Sequence, residues 1–507
     1  MSLKHLFSSR QAGHTSQRLK RSVHALMGIN ANGNRLSPPM DDPAMLSLAQ
    51  GNGIRRPHTD VLAAGVKGLA DHHYSLDHYL FFDPHIEFAT EASRFFQKSG
   101  IPESHASNIT IGPGTAPLFS AFLYVFGNQG DVFLTQDTFY HATTYWTETT
   151  QTVLQNVPTK QENGYKLLEA DLENWIAKNA EVKAKGLILY NPTQIGEVYS
   201  KEELEGIARV LDRHDMVALM DATFSGTEFD QSQTPALASI PEISSRVVTV
   251  MSASKTFGLA NIRMGWACGD EAAIEKIDEY IKKTHVAVPH LAQTMTLAAL
   301  QAPREYLAEN ADELAKRCSM MNDLISETNQ KASTALGLSE TVEFIKVLNT
   351  PKAAHSMLVN LDALAGLKRS DGQTIKDSVD LTTHFLNHNV VLAPGYSFGF
   401  DDCTFKISFG DVESRLGYPA TKEAELTEIF RAAAELKGAE ILDRQSEISA
   451  EEVFAPGREK IAEAFRDRIL PAIVDLVQFN RQHFPQSVPA NLMNKKSDTK
   501  ALSLNHA

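Results

Sequence analysis

Between residues 60 and 320, short apolar runs alternate with helical patterns, and this rhythm constrains the fold of the 507-residue chain more than any other feature. The strand candidates are Asn108–Ile111, Val132–Thr135, Gly186–Tyr190, Val217–Met220 and Val247–Met251. A strand buried on both faces reads as a near-continuous apolar run, so the rhythm predicts a mostly parallel sheet between helices, an α/β fold. Each run ends directly in a polar or glycine-bearing segment. Ligands of open α/β sheets bind at those carboxyl ends.

About 150 residues per domain leaves room for two or three domains. Residues 1–60 read as an arm with a turn-rich loop at 30–39, and 61–324 as the large domain. Residues 325–445 read as a smaller α+β domain, with strands at Ser356–Leu361, Val390–Ala393 and Phe405–Phe409 and a closing helix at 422–438. Residues 446–507 read as a helical extension, amphipathic over 459–479, with a polar tail. A composition of 43% hydrophobic and 22% charged residues excludes bulk disorder. No long apolar window predicts a membrane span. A net charge of -14 leaves no global basic field for nucleic acid. Cys268, Cys318 and Cys403 form neither a disulfide framework nor a metal cluster, which points to a reducing, cytoplasmic setting. Residues 1–40 contain Lys4, Arg10, Arg18, Lys20, Arg21 and Arg35 and no acid. Two readings stay open there: a basic arm packed on a neighbouring subunit, or an organelle transit peptide.

The chemistry concentrates in VMSASKTFGLANIRMGWACGD, residues 250–270. A strand runs into Ser252, Ser254 and Lys255, and Arg263 follows eight residues after the lysine. Desolvation and a nearby cation depress a lysine pKa and free a neutral amine able to form a Schiff base. On spacing alone, a surface lysine after a strand is an equal alternative.

The pattern Ser252-x-Ser254-Lys255-x-Phe257-Gly258-Leu259-x-x-x-Arg263-x-Gly265 resembles the cofactor-lysine motif of class I/II aminotransferases, fold type I of the pyridoxal-phosphate enzymes. Gly112-Pro113-Gly114-Thr115 resembles the family's phosphate cup, and Asn191-Pro192-Thr193 its Asn-Pro-Thr element, with Gln194-Ile195 as an apparent insertion before Gly196. Ser47-Leu48-Ala49-Gln50-Gly51 resembles its N-terminal substrate strand, and 393–399 with 405–408 its small-domain signatures. The resemblance implies a large domain with a mostly parallel sheet, a smaller α+β domain and pyridoxal 5′-phosphate as cofactor. It further implies a small amino-acid substrate, a homodimer with shared active sites, and neither nucleic acid nor membrane as partner.

The residue roles follow from the same resemblance. Lys255 carries the cofactor. Asp221 pairs with the ring nitrogen, and Asn191 donates to the 3′-oxygen and touches substrate. Gly114, Thr115, Ser252, Ser254 and Arg263 hold the phosphate. Phe139 or Tyr140 stacks on the ring, and Tyr74 reaches the partner's phosphate. Gly51 and Lys406 bind substrate, and no metal is implied. The loop Val286–His290 resembles the one that approaches the other subunit's site.

Two positions depart from the pattern. Phe224 stands where the family has a tyrosine whose hydroxyl bonds the 3′-oxygen, a loss of about 1.5–3 kcal/mol for a charge-assisted donor. Lys406 stands where the family has the carboxylate-gripping arginine; it keeps the charge and loses the fork. Either Lys406 grips the carboxylate as a point charge, or Arg55 or Arg56 does so instead. Transamination is the first reading. A lyase, decarboxylase or oxidase reaction on the same fold is the second, and a silent binding protein the third.

Overall fold

The computed structural model describes residues 21–22, 45–49, 51, 57–70, 85–98, 100–101, 104–410, 412 and 450–493. A seven-stranded sheet runs in the order Ile109–Gly112, Gly265–Cys268, Val247–Ser252, Val217–Asp221, Ala184–Tyr190, Val132–Gln136, Val153–Val157. All pairings are parallel except those of Gly265–Cys268, which runs antiparallel to both neighbours. All five expected strands form, each within a residue or two of its anticipated bounds. The reversed strand Gly265–Cys268 and the edge strand Val153–Val157 were not anticipated. The first is only four residues long, and the second is interrupted by Gln155 and Asn156 and partly exposed.

The sheet is buried on both faces, and side-chain alternation divides it. Leu187, Leu189 and Met220 join one apolar layer with Phe88 and Phe96 of the helix Ile86–Lys98. Ile188, Tyr190, Leu219 and Val250 join the other with Phe119 and Phe122 of the helix Thr115–Phe126 and Ile277 of Glu271–His285. Burying each such side chain stabilises the fold by about 1.5–3 kcal/mol. Helix starts follow local chemistry: Ser200 and Glu203 form a reciprocal capping box, and Asp270 caps the helix Glu271–His285.

A second core surrounds an antiparallel sheet ordered Ala393–Pro394, Thr404–Ser408, Ser356–Asn360, Lys346–Val347. The segment Leu46–Ser47 pairs in parallel with Val390–Val391, and Ser408 N donates to Leu48 O at 2.7 Å. The first strand is thereby delivered to the end of the one that carries Lys406. The expected division at 324/325 falls inside the helix Arg304–Ala335, which carries Tyr306 in the first core and Leu314 through Ala332 in the second. The helix Ala450–His483 contributes Ile461, Phe465, Ile473 and Leu476 to that second core. The expected helix at 422–438 and the polar tail beyond residue 493 lie outside the described residues. From the acid-free N-terminal segment, Arg21 forms ion pairs with Asp377 (2.5 Å) and Asp380 (2.6 Å). Among the described residues, no helix is long and apolar enough to cross a membrane.

Glu313 ties the two long helices together. Its carboxylate accepts from Arg317 Nε at 2.7 Å and pairs with Arg458 of the C-terminal helix, while the Arg317 guanidinium is wholly buried. Removing one partner of a buried ion pair costs about 3–5 kcal/mol, whereas replacing the pair by apolar groups is often neutral. Glu313→Gln should therefore lose about 3–5 kcal/mol in urea unfolding, and Glu313→Leu combined with Arg317→Leu should recover most of that loss.

Candidate active site

The carboxyl ends of the neighbouring parallel strands Val217–Asp221 and Val247–Ser252 bring Asp221 beside the turn that holds Lys255. Ser252 closes its strand and caps the short helix Ala253–Thr256, its Oγ accepting from Ser254 N at 2.9 Å. That helical turn directs Lys255 into the cleft, where Nζ donates to Gly51 O. Burial, with the Arg263 charge, pulls the Lys255 pKa down to about 8, against the opposing pull of Asp221. Asp221 is 5% exposed and makes no ion pair among the described residues. Thr223 N donates to its Oδ1 at 2.8 Å. Burial raises this carboxyl to about 6, partly offset by the Thr223 hydrogen bonds and by Lys255.

Asn191 ends the next strand over. Its backbone N donates to Asp221 O at 3.0 Å, its Oδ1 accepts from Tyr199 N at 3.0 Å, and its Nδ2 donates to Pro235 O at 2.8 Å. An amide nitrogen has two hydrogens, so one Nδ2–H is left for a ligand. The apparent insertion Gln194-Ile195 is absorbed in a buried turn: Gly196 N donates to Thr193 O at 3.0 Å, and Gly196 takes a φ of 79°.

The cup at Gly112–Thr115 depends on missing side chains. Gly114 has a φ of 86°, and a Cβ there would run into Arg263 Nη2. A Cβ on Gly265 would stand 2.6 Å from Gly114 C and 2.9 Å from Thr115 N. Glycine at both places lets the backbone close up, with Thr115 opening a twelve-residue helix whose first amides lack intrahelical partners. Arg263, itself left-handed with a φ of 59°, lies at the cup with Nη2 3.5 Å from Pro113 O. Two amides, a helix N-terminus and a guanidinium make an anion site.

Of the two candidate stacking rings, Phe139 is 5% exposed and packed in the core with Leu118 and Phe119. Tyr140 is 37% exposed, and its hydroxyl lies in the fields of Asp221 and Arg263. Tyr140 therefore faces the cleft, and Phe139 does not. Phe224 is buried, edge-on to His355 with ring centroids 5.1 Å apart. Tyr74, Arg55 and Arg56 lie outside the described residues.

Lys406 closes the cleft from the second core. It is 9% exposed and has no carboxylate at ion-pair distance among the described residues; its Nζ lies 5.3 Å from the centre of the Phe398 ring. Burial and the Lys255 charge bring its pKa down to about 8. Two residues absent from the sequence expectations border the same space. His141 packs on Phe398 at 6.1 Å and is lowered to about 4 by burial and by Lys406. His355 is buried against Gly51. His141 directly follows the candidate stacking pair Phe139-Tyr140, a signal the sequence reading passed over, whereas His355 has no neighbouring motif and only tertiary contact reveals it.

The fold matches that of known enzymes. An aspartate aminotransferase from Thermus thermophilus with maleate superposes with a TM-score of 0.63 at 20% identity, covering 81% of this chain and 96% of that one. An aspartate aminotransferase from Rhizobium meliloti gives 0.67 at 18%, covering 91% and 99%. Both share the mostly parallel sheet of fold type I. In sequence, a probable aspartate/prephenate aminotransferase of Rickettsia conorii is 29% identical over 252 residues, which span 49% of this chain and 58% of that relative. A kynurenine–oxoglutarate transaminase of Dictyostelium discoideum is 32% identical over 148 residues, 28% of this chain and 34% of that protein. The chain thus spans under two thirds of these curated relatives. The pattern of the family described as aminotransferase class I and II matches residues 44–429, over three quarters of the sequence. With fold and sequence in agreement, the chain belongs to the class I and II aminotransferases, whose members use pyridoxal 5′-phosphate.

Proposed function

We propose that this chain is a pyridoxal-phosphate-dependent aminotransferase that moves an amino group between an amino acid and a 2-oxo acid, with Lys255 carrying the cofactor. One observation carries the reading. A lysine lowered to about 8, a buried carboxylate without an ion-pair partner among the described residues, and an anion cup converge at the strand ends of one sheet. The cup, whose close backbone and guanidinium approach depends on Gly114 and Gly265, fits a phosphate, and Asp221 fits a protonated ring nitrogen.

In this reading Gly114, Thr115, Ser252, Ser254 and Arg263 hold the phosphate. Asp221 keeps a proton on the ring nitrogen, the spare Nδ2–H of Asn191 reaches the 3′-oxygen, and Tyr140 covers the ring. The bound cofactor supplies an electron sink for the bond broken at the substrate Cα. Lys255 Nζ would take the proton from the substrate Cα and deliver it to the cofactor carbon that keeps the amino group, a task suited to an amine that is partly neutral near pH 8. Gly51 and Lys406 face the substrate carboxylate. Phe224 and Lys406 favour a second reading, lyase, decarboxylase or oxidase chemistry, because an ammonium acting alone would leave the carboxylate plane free. Ammonia, carbon dioxide and oxo-acid analysis separates the two.

A homodimer is part of the proposal, supported by the exposed apolar side chains of Ile86 and Val286. The three free, buried cysteines support a cytoplasmic setting.

Borohydride treatment of the cofactor-loaded protein, followed by peptide mapping, should place the pyridoxyl mass on Lys255; its appearance on a different lysine would overturn the assignment. Asp221→Asn should keep the cofactor but slow Cα–H exchange by about two orders of magnitude, since a neutral amide no longer favours the protonated ring. Exchange at the wild-type rate would remove Asp221 from that role. The Lys255 amine adds a pH dependence. Its folded pKa lies below the unfolded one, so the unfolded chain binds more protons between about pH 8 and 10.5, and this group's contribution to stability rises across that window. In the cofactor-free protein, amine labelling of Lys255 should have its midpoint near pH 8, and Lys255→Met should flatten the rise in stability.

A further inference from the structure

His355 has no place in the roles above, yet it is 3% exposed and lies between Gly51 and Phe224. Its Nδ1 lies 3.0 Å from Ser356 Oγ and 3.5 Å from Ser408 Oγ, whereas its buried Nε2 makes no hydrogen bond of full geometry among the described residues and meets only the Gly51 backbone. The ring stands edge-on to Phe224, and a Cβ on Gly51 would come within 3.0 Å of Nε2. Burial, with the charges of Lys255 and Lys406, holds its pKa well below the usual imidazole range, against the opposing pull of the His355 and Gly51 backbone. A neutral imidazole has one N–H. With the Ser356 hydroxyl donating to Nδ1, the proton sits on Nε2, on the side of the ring that meets Gly51.

An ammonium fixes the position of a carboxylate but not its plane; a second, directional donor fixes the plane. Lys406 sits on the strand Thr404–Ser408, and His355 is held to the end of the same strand by Phe409 N donating to its carbonyl at 2.8 Å. We infer that His355 Nε2–H and Lys406 Nζ together grip the carboxylate of the substrate, so that two side chains do what one arginine fork does elsewhere in the family. The inference rests on the reading of this cleft as an amino-acid site loaded with pyridoxal phosphate.

The test is carboxylate binding without turnover. Acetate, maleate and 3-phenylpropionate are titrated into the cofactor-loaded wild type by calorimetry, and the tightest is carried to the variants, whose cofactor content is measured in parallel. His355→Phe keeps the ring shape and should weaken binding about tenfold or more, while His355→Gln, which keeps a donor, should stay within about threefold. Both should hold the cofactor as the wild type does. In a Lys406→Arg background the guanidinium fork supplies both hydrogen bonds, so adding His355→Phe should cost less than about threefold. A merely structural histidine would cost the same in either background, which would overturn the assignment. Wild-type affinity in His355→Phe, or an altered cofactor spectrum with unchanged carboxylate affinity, would also overturn it, as would no binding of any of the three to the wild type. If borohydride leaves Lys255 unlabelled, the underlying reading fails and takes the inference with it; if Lys255 is labelled and the His355 variants are silent, the inference alone fails.

Discussion

The cleft is held by an imbalance of charge. The fold holds Lys255 and Lys406 near each other, against their repulsion, in a space largely removed from water, with Arg263 at the rim and Asp221 as the acid that acts on Lys255. Like charges in a low-dielectric site are costly, and each lysine responds by giving up its proton more readily. Everything else in the fold serves to hold these groups at fixed positions. The parallel sheet sets Asp221 and Ser252 on neighbouring strand ends, and the second core sets Lys406 opposite them.

Much of this was legible in the sequence because strands buried on two faces leave a continuous apolar signature, and because the Lys255 motif is local. Lys255, Ser252, Ser254 and Arg263 lie within twelve consecutive residues, so one turn after one strand places them all. The choice between Phe139 and Tyr140 was not legible. Adjacent aromatic residues have the same composition, and only the pairing of Phe139 with the helix Thr115–Phe126 layer decides which ring is core. His355 was hidden for a different reason. Its neighbours Gly51, Phe224 and Lys406 are far apart in sequence, so nothing near it announces a site. The division between domains was obscured because a single uninterrupted helix, Arg304–Ala335, serves both cores, and helical periodicity carries no mark where one core ends and the other begins.

The departures at Phe224 and Lys406 become one feature once His355 is in view. Phe224 stands edge-on to His355, and an arginine at 406 would set a bulkier cation near an imidazole on which the Lys255 and Lys406 charges already act. A lysine presents less bulk and a compact charge, and Phe224 offers a flat apolar wall for the imidazole. The three residues thus form a mutually consistent packing, in which the donor lost at one position and the fork lost at another accompany a donor gained at a third.

The position of Lys406 depends in turn on groups outside the cleft. Its strand ends near Gly410, whose carbonyl accepts from Arg317 Nη1 at 2.5 Å. Arg317 is paired with Glu313, and Glu313 with Arg458 on the helix Ala450–His483. A chain of charge-assisted bonds therefore runs from the C-terminal helix through the long helix to the end of the strand that presents Lys406. A point charge gives a ligand no orientation of its own, so its usefulness rests on how firmly the backbone beneath it is fixed. The C-terminal helix provides that firmness: it is built into the second core, and through Arg317 it bears on where the ammonium of Lys406 meets a substrate.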